Sequence, residues 1–227
     1  MKSSRLRALR RIALGAAGLA CAILVSACSS EGGGDWVTLL KATRAAWEGR
    51  NASVGLDQAS HIPYATLGVR INDGAQQILI LALDDNGERL WTSSARVAIA
   101  TWGGRIVRTA GFGSDLAGFT ANRSSLEDWS QPHAFNWQGD FSDLGYFSVS
   151  IHCDVRPQGP DPITILGQTI DTNRVDELCH SDKLSWSYTN SYWVSPQSGR
   201  VWRSIAHFHP KGPALELEIL RPPLSPG

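Results

Sequence analysis

The chain has 227 residues, 42% hydrophobic and 19% charged, which excludes a disordered protein and leaves room for one domain, or two small ones, with a real core. Its 21 Lys and Arg match 21 Asp and Glu, but the neutral total averages two unlike pieces. Lys2, Arg5, Arg7, Arg10 and Arg11 precede residue 28 with no acid among them; removing those five from the 21 leaves 16 basic against 21 acidic residues, an acidic body that argues against a nucleic-acid partner.

The chain opens with basic residues 1–11, then the apolar or small run 12–27, which is the pattern of a secretory signal peptide. The run is short and weakly hydrophobic for a membrane span, which needs about 20 apolar residues. It ends in Val25-Ser26-Ala27-Cys28, which resembles the bacterial lipobox. Cleavage before Cys28 would leave its thiol to carry a diacylglycerol, and several acyl chains together anchor firmly where one is marginal. Ser29 follows Cys28, and by resemblance to lipoprotein sorting in Gram-negative bacteria this favours the outer membrane, with the protein facing the periplasm. The Ser/Gly run 29–34 reads as a flexible tether. The expected organisation is a signal peptide over 1–27, lipidated Cys28 and tether over 28–34, one β-rich domain over 35–220, and a Pro-rich tail over 221–227.

Asp35 to Gly49 reads as a helix, with Asp35 as cap, Gly49 as stop and one apolar face that includes Trp36, Leu40 and Trp47. Beyond it the pattern is short strands: 62–71, 76–83, 89–92, 96–101, 105–109, 145–153, 163–170, 174–179, 184–194, 200–208 and 214–220. Asn72-Asp73-Gly74, Asp85-Asn86-Gly87 and Gly103-Gly104 mark tight turns. Between Gly111 and Leu144 the pattern is quiet, and only a short helical turn near Leu116 and Phe119 is expected. Leu215, Leu217 and Ile219 alternate with Glu216 and Glu218, a half-buried strand. The fold class is all-β, mainly an antiparallel meander, barrel- or sandwich-like, with one N-terminal α-helix packed on it.

Cys153 and Cys179 are the only cysteines of the body, and outside the cytoplasm a disulfide is the favoured state. For a loop of that length the chain-entropy estimate is about 3–4 kcal/mol, and the Pro/Gly-rich stretch 156–162 lies inside it. His152 and His180 flank the pair and raise the alternative of a metal site, but alternation on a strand points neighbours to opposite faces. His207 and His209 have pair spacing without a third ligand, and no metal or other cofactor is expected. No nucleophile or phosphate-loop motif is present. Asp84, Asp85, Asp154, Asp161, Asp171, Asp176 and Glu177 are read as surface acids. Of the nine Trp, those on strands are expected in the core, whereas Trp129 and Trp137, in the quiet region, are the candidate glycan contacts.

Ile62-Pro63-Tyr64-Ala65, the run Gln77 to Ala82, and Gly104-Arg105-Ile106-Val107-Arg108-Thr109-Ala110-Gly111 together resemble the YjbF-type, or group 4 capsule polysaccharide, lipoproteins. The match is clear from Cys28 to about Thr109 and looser to Leu220. The resemblance implies a periplasm-facing antiparallel β domain at the outer membrane, with a role beside exopolysaccharide production. It supplies no catalytic residues; Ile62, Pro63, Tyr64, Gly104, Arg105, Thr109 and Gly111 carry its motif, and alternation puts Arg105 and Thr109 on one face. The expected function is non-enzymatic assistance to exopolysaccharide or capsule secretion, through export-machinery proteins or the polysaccharide itself. The alternatives are a periplasmic enzyme acting on polysaccharide and a barrel carrying an apolar ligand.

Overall fold

Three of the connections that the sequence marks as tight turns have the backbone such turns require. Asn86-Gly87 and Gly103-Gly104 each place both central residues at positive φ, and Asn72 is at φ 49°. They link β1 to β2, β2 to β3 and β4 to β5 among the first five strands: β1 (Thr66–Ile71), β2 (Gln77–Asp85), β3 (Glu88–Thr92), β4 (Ala98–Trp102) and β5 (Arg105–Ala110). The computed structural model describes residues 53–72, 74–126 and 128–223, all within one unit spanning 49–227. The signal peptide expected over 1–27, the lipidation site expected at Cys28, the tether expected over 29–34, the helix expected at Asp35–Gly49 and residues 224–227 lie outside the described residues.

The remaining strands are β6 (Gly118–Ala121), β7 (His133–Phe141), β8 (Tyr146–Pro160), β9 (Ile163–Ile165), β10 (Gln168–Ile170), β11 (Asn173–Ser181), β12 (Trp186–Val194), β13 (Val201–Ala206) and β14 (Leu215–Arg221). Twelve of them form one antiparallel sheet in the order β5-β4-β3-β2-β1-β14-β13-β12-β11-β8-β7-β6. The sheet curls until its end strands approach one another, giving a nearly closed barrel; at one point the Thr109 N–H donates to the Leu116 carbonyl at 2.9 Å. β9 and β10 form a separate hairpin. The all-β, mainly antiparallel, barrel-like class expected from the sequence is the one observed.

The interior is filled by Trp91, Phe141, Tyr192, Phe208 and aliphatic neighbours such as Leu79, Ile99, Ile151 and Leu215. A second apolar cluster lies apart from it, where Val54, Ala59, Ile163 and Ile165 pack with Trp193 and Leu220. It brings together α1 (Leu56–Ser60), the β9–β10 hairpin and the strands β12 and β14.

Several local expectations are corrected. The quiet region contains β6 and β7; Phe135, Trp137 and Phe141 do alternate inward, but the Asn, Gln, Gly and Asp between them mask the period. The segment 163–170 is a hairpin rather than one strand, because Leu166-Gly167 turns at φ 50° and 77° and Leu166 gives no turn signal. β8 runs on past Cys153 through Pro157 to Pro160, with a register shift between Arg174 and Val175 opposite it, where a proline without an N–H is tolerated. β1 begins at Thr66, so Ile62, Pro63 and Tyr64 precede the strand instead of belonging to it. β13 ends at Ala206, which leaves both His207 and His209 off the strand.

Candidate functional site at the barrel seam

β5 carries most of the Gly-Arg motif, and each motif residue has a structural task there. Gly104 sits at φ 88°, and a Cβ on it would lie 2.5 Å from Val201 on β13. Only glycine lets the β4–β5 turn come this close. Arg105, next in sequence, is buried and reaches Glu177 on β11, also buried: Nε donates to Oε1 at 2.7 Å. Its Nη2 lies 2.5 Å from the same oxygen, close in charge but off the hydrogen-bond direction. Nη1 donates to the Leu126 carbonyl at 2.7 Å. The Trp129 ring lies over the guanidinium at 3.8 Å, with Phe135 at 5.4 Å and Tyr192 at 5.7 Å. Burial, reinforced by the Glu177 carboxylate, pushes the Tyr188 and Tyr192 phenols upward, so both remain protonated.

Thr109 and Gly111 act four to six residues further on. Thr109 Oγ1 donates to Asp115 Oδ1 at 2.9 Å and accepts the Leu116 N–H at 3.0 Å. Gly111 is at φ 92°, with its N–H bonded to Asp115 Oδ2 and no space for a Cβ beside the Arg96 carbonyl. The motif therefore fixes β5 to the segment 116–126 at two places, through Thr109 at one and Arg105 at the other. A register shift in the β4–β5 ladder between Ala100 and Thr101 breaks the simple alternation that put Arg105 and Thr109 on one face; both side chains are nonetheless buried. Ile62 is half-buried, and Pro63 and Tyr64 are exposed, away from this cluster of contacts.

Glu177 is not a surface acid, contrary to expectation. It occupies an inward position on β11, in phase with Val175 and Cys179, a phase that its neighbours Asp176 and Leu178 conceal in the sequence. Cys153 and Cys179 face each other across β8 and β11 and form the disulfide. His152 and His180 pair in the next register position, their rings 5.3 Å apart, and are not buried as the cysteines are. Among the described residues no group of His, Cys, Asp and Glu is arranged to hold a metal. His209 is buried, its Nδ1 accepting the Lys211 N–H at 3.0 Å, so Nε2 carries the proton directed at Asp143 Oδ1, 2.9 Å away. His207 instead contacts Tyr188 and Asn190, so the two histidines do not form a pair.

Trp137, expected as a glycan contact, is buried at 6% exposure and stacked on Phe119 at 4.7 Å. Trp129 is half-buried and committed to Arg105 and Tyr192. A different tryptophan reaches an opening. Between β5 and β6 lies a cleft of about 420 Å³, lined by Trp102, Val107, Arg108, Phe119, Arg123 and Glu88 among others. Glu88 accepts from Arg108 at 3.0 Å and from Arg123 at 3.2 Å, and Arg123 stands 5.3 Å over the Trp102 ring. Nothing in the sequence marks this group, because Glu88, Trp102, Arg108 and Arg123 come from separate segments that meet only when the sheet curls.

The fold and the seam define a disulfide-stapled, nearly closed antiparallel barrel with a packed interior and a polar cleft between its end strands. The family described as group 4 capsule polysaccharide lipoprotein gfcB, YjbF matches residues 40–220, and the chain belongs to that family. Among curated relatives, the uncharacterized lipoprotein GfcB of Escherichia coli (strain K12) is 21% identical over 186 residues, 78% of this chain and 85% of that protein. The uncharacterized lipoprotein YjbF of the same strain is 21% identical over 193 residues, 80% of this chain and 85% of that one. The crystal structure of the hypothetical lipoprotein YmcC from Escherichia coli (K12) shares the fold, with a TM-score of 0.61 at 20% identity, covering 86% of this chain and all of that one.

Proposed function

We propose that the protein is an outer-membrane lipoprotein, anchored through Cys28 and facing the periplasm, that assists secretion or assembly of an exopolysaccharide or capsule without catalysing a reaction. The observation that carries this reading is membership of a capsule polysaccharide lipoprotein family in a chain whose N-terminus ends in a lipobox. The barrel supplies a rigid body for docking on export-machinery proteins or on the glycan.

A non-enzymatic role agrees with the way the carboxylates are used. Glycoside hydrolysis needs two carboxyl groups opposed across a sugar. In the seam cleft Glu88 is the carboxylate, and it is bound by two arginines. The buried Glu177 and Glu218 are held by Arg105 and Arg203. An apolar carrier needs a larger cavity than the barrel offers among the described residues: the void beside Arg105 and Glu177 measures about 20 Å³, and the apolar pocket at Val69, Leu79 and Phe112 about 180 Å³, below the roughly 300–1,000 Å³ of small-molecule sites.

The test is a strain lacking the protein, complemented with the wild-type gene or with Cys28→Ser. Loss of surface polysaccharide, restored by the wild type and poorly by Cys28→Ser, is expected. Unchanged surface polysaccharide in the deletion strain overturns the reading.

A further inference from the structure

We propose that the cleft between β5 and β6 is a binding site for an acidic saccharide segment, such as a uronate-containing stretch of polysaccharide. The inference rests on the secretion reading for the ligand being a glycan; the site and its charge preference come from the seam itself.

The size is appropriate: about 420 Å³ falls within the roughly 300–1,000 Å³ of small-molecule sites. The charge is also specific. Arg108 and Arg123 share the single carboxylate of Glu88, so the cluster keeps one positive charge in excess. Both guanidinium groups are more than half exposed and can turn towards an incoming carboxylate without leaving a buried charge behind. Trp102 and Phe119 line the cleft with apolar surface; Phe119 gives one face to Trp137 and Arg123 stands over Trp102, which leaves the other ring surfaces for the C–H groups of a sugar. β5 and β6 have one strand partner each, so their outer edges face the seam, where backbone N–H and C=O groups beyond the Thr109–Leu116 bridge can meet hydroxyl groups.

A protein strand fits the same opening poorly. All the ladders of the twelve-stranded sheet are antiparallel, so β5 and β6 run antiparallel to each other. A strand bonded to both would have to pair in parallel with one of them. The seam is also bridged at two places, by the Thr109 N–H to the Leu116 carbonyl and by Arg105 Nη1 to the Leu126 carbonyl. Those bridges divide the edges into short stretches.

The experiment titrates the full chain, purified in detergent, with oligogalacturonate and, separately, with neutral dextran oligomers, following tryptophan fluorescence and calorimetric heat. Oligogalacturonate should bind, more weakly as salt rises, and dextran should bind far less. Arg108→Ala with Arg123→Ala should weaken oligogalacturonate binding by about tenfold or more with an unchanged melting temperature. Absence of oligogalacturonate binding, or equal binding by wild type and double variant, overturns the proposal. Protection of the β5 and β6 amides by an added peptide but not by the oligosaccharide would overturn it in favour of strand addition. Binding in solution combined with unchanged surface polysaccharide in the deletion strain would leave this site standing and remove the secretion reading instead.

Discussion

Arg105 of β5 donates to Glu177 of β11 at 2.7 Å, joining the end strand of the sheet to a strand deep in its other half. Both side chains are almost fully buried, and Trp129 covers the guanidinium. Removing one partner leaves an uncompensated buried charge, which costs about 3–5 kcal/mol, whereas replacing both by apolar groups of similar volume is often neutral. Arg105→Met and Glu177→Leu should each lower the urea midpoint strongly, and the double variant should recover most of the loss. Additive losses would show that the pair is not coupled.

Gly104 and Gly111 hold positive φ, and a Cβ at either would meet a neighbour at 2.5 Å. Alanine at each should cost about 1–3 kcal/mol in thermal or denaturant unfolding. Gly55 is at φ −78° with no atom near its Cβ position, so Gly55→Ala should change stability by no more than about 0.5 kcal/mol.

The disulfide staples β8 to β11 while the β9–β10 hairpin lies in the loop between its cysteines. Cys153→Ala with Cys179→Ala should cost about 3–4 kcal/mol, and reduction of the wild type should produce the same drop in melting temperature. A double variant as stable as the wild type would mean that the ladder alone holds these strands.

Burial holds the His207 imidazole below its ordinary pKa, so the folded protein binds this proton less readily than the unfolded chain. The stability associated with neutral His207 is therefore present above the unfolded value near 6.5 and is lost as pH falls through the lower folded value. His207→Gln should flatten the stability curve across that window, as read by urea unfolding between pH 7 and 5. An unchanged slope would assign the acid sensitivity elsewhere.

The turns at Asn86-Gly87 and Gly103-Gly104 and the inward Leu215 and Leu217 of β14 were legible because their signals are local, but the outer face of β14 is not wet: Glu218 is buried against Arg203 and Gln76, and Leu220 joins the second apolar cluster. β7 was hidden because its outward positions and Gly139 carry turn-forming residues, and the β9–β10 turn because Leu166 is an apolar residue at positive φ. The site divides in the same way. Arg105, Thr109 and Gly111 stand together in one motif, but Glu177 lies on a strand distant in sequence, and the cleft residues meet only through closure of the sheet. Trp137 illustrates the converse: a tryptophan in a polar stretch was expected at the surface, yet its stack on Phe119 places it in the core.

The most direct measurement of the central claim compares surface, periplasmic and released polysaccharide in wild-type and deletion strains, with chain length and sugar composition determined for each pool. The account predicts less polysaccharide at the surface and more retained in the envelope, with length and composition unchanged. Equal pools in both strains, or unchanged amounts with altered composition, would contradict it.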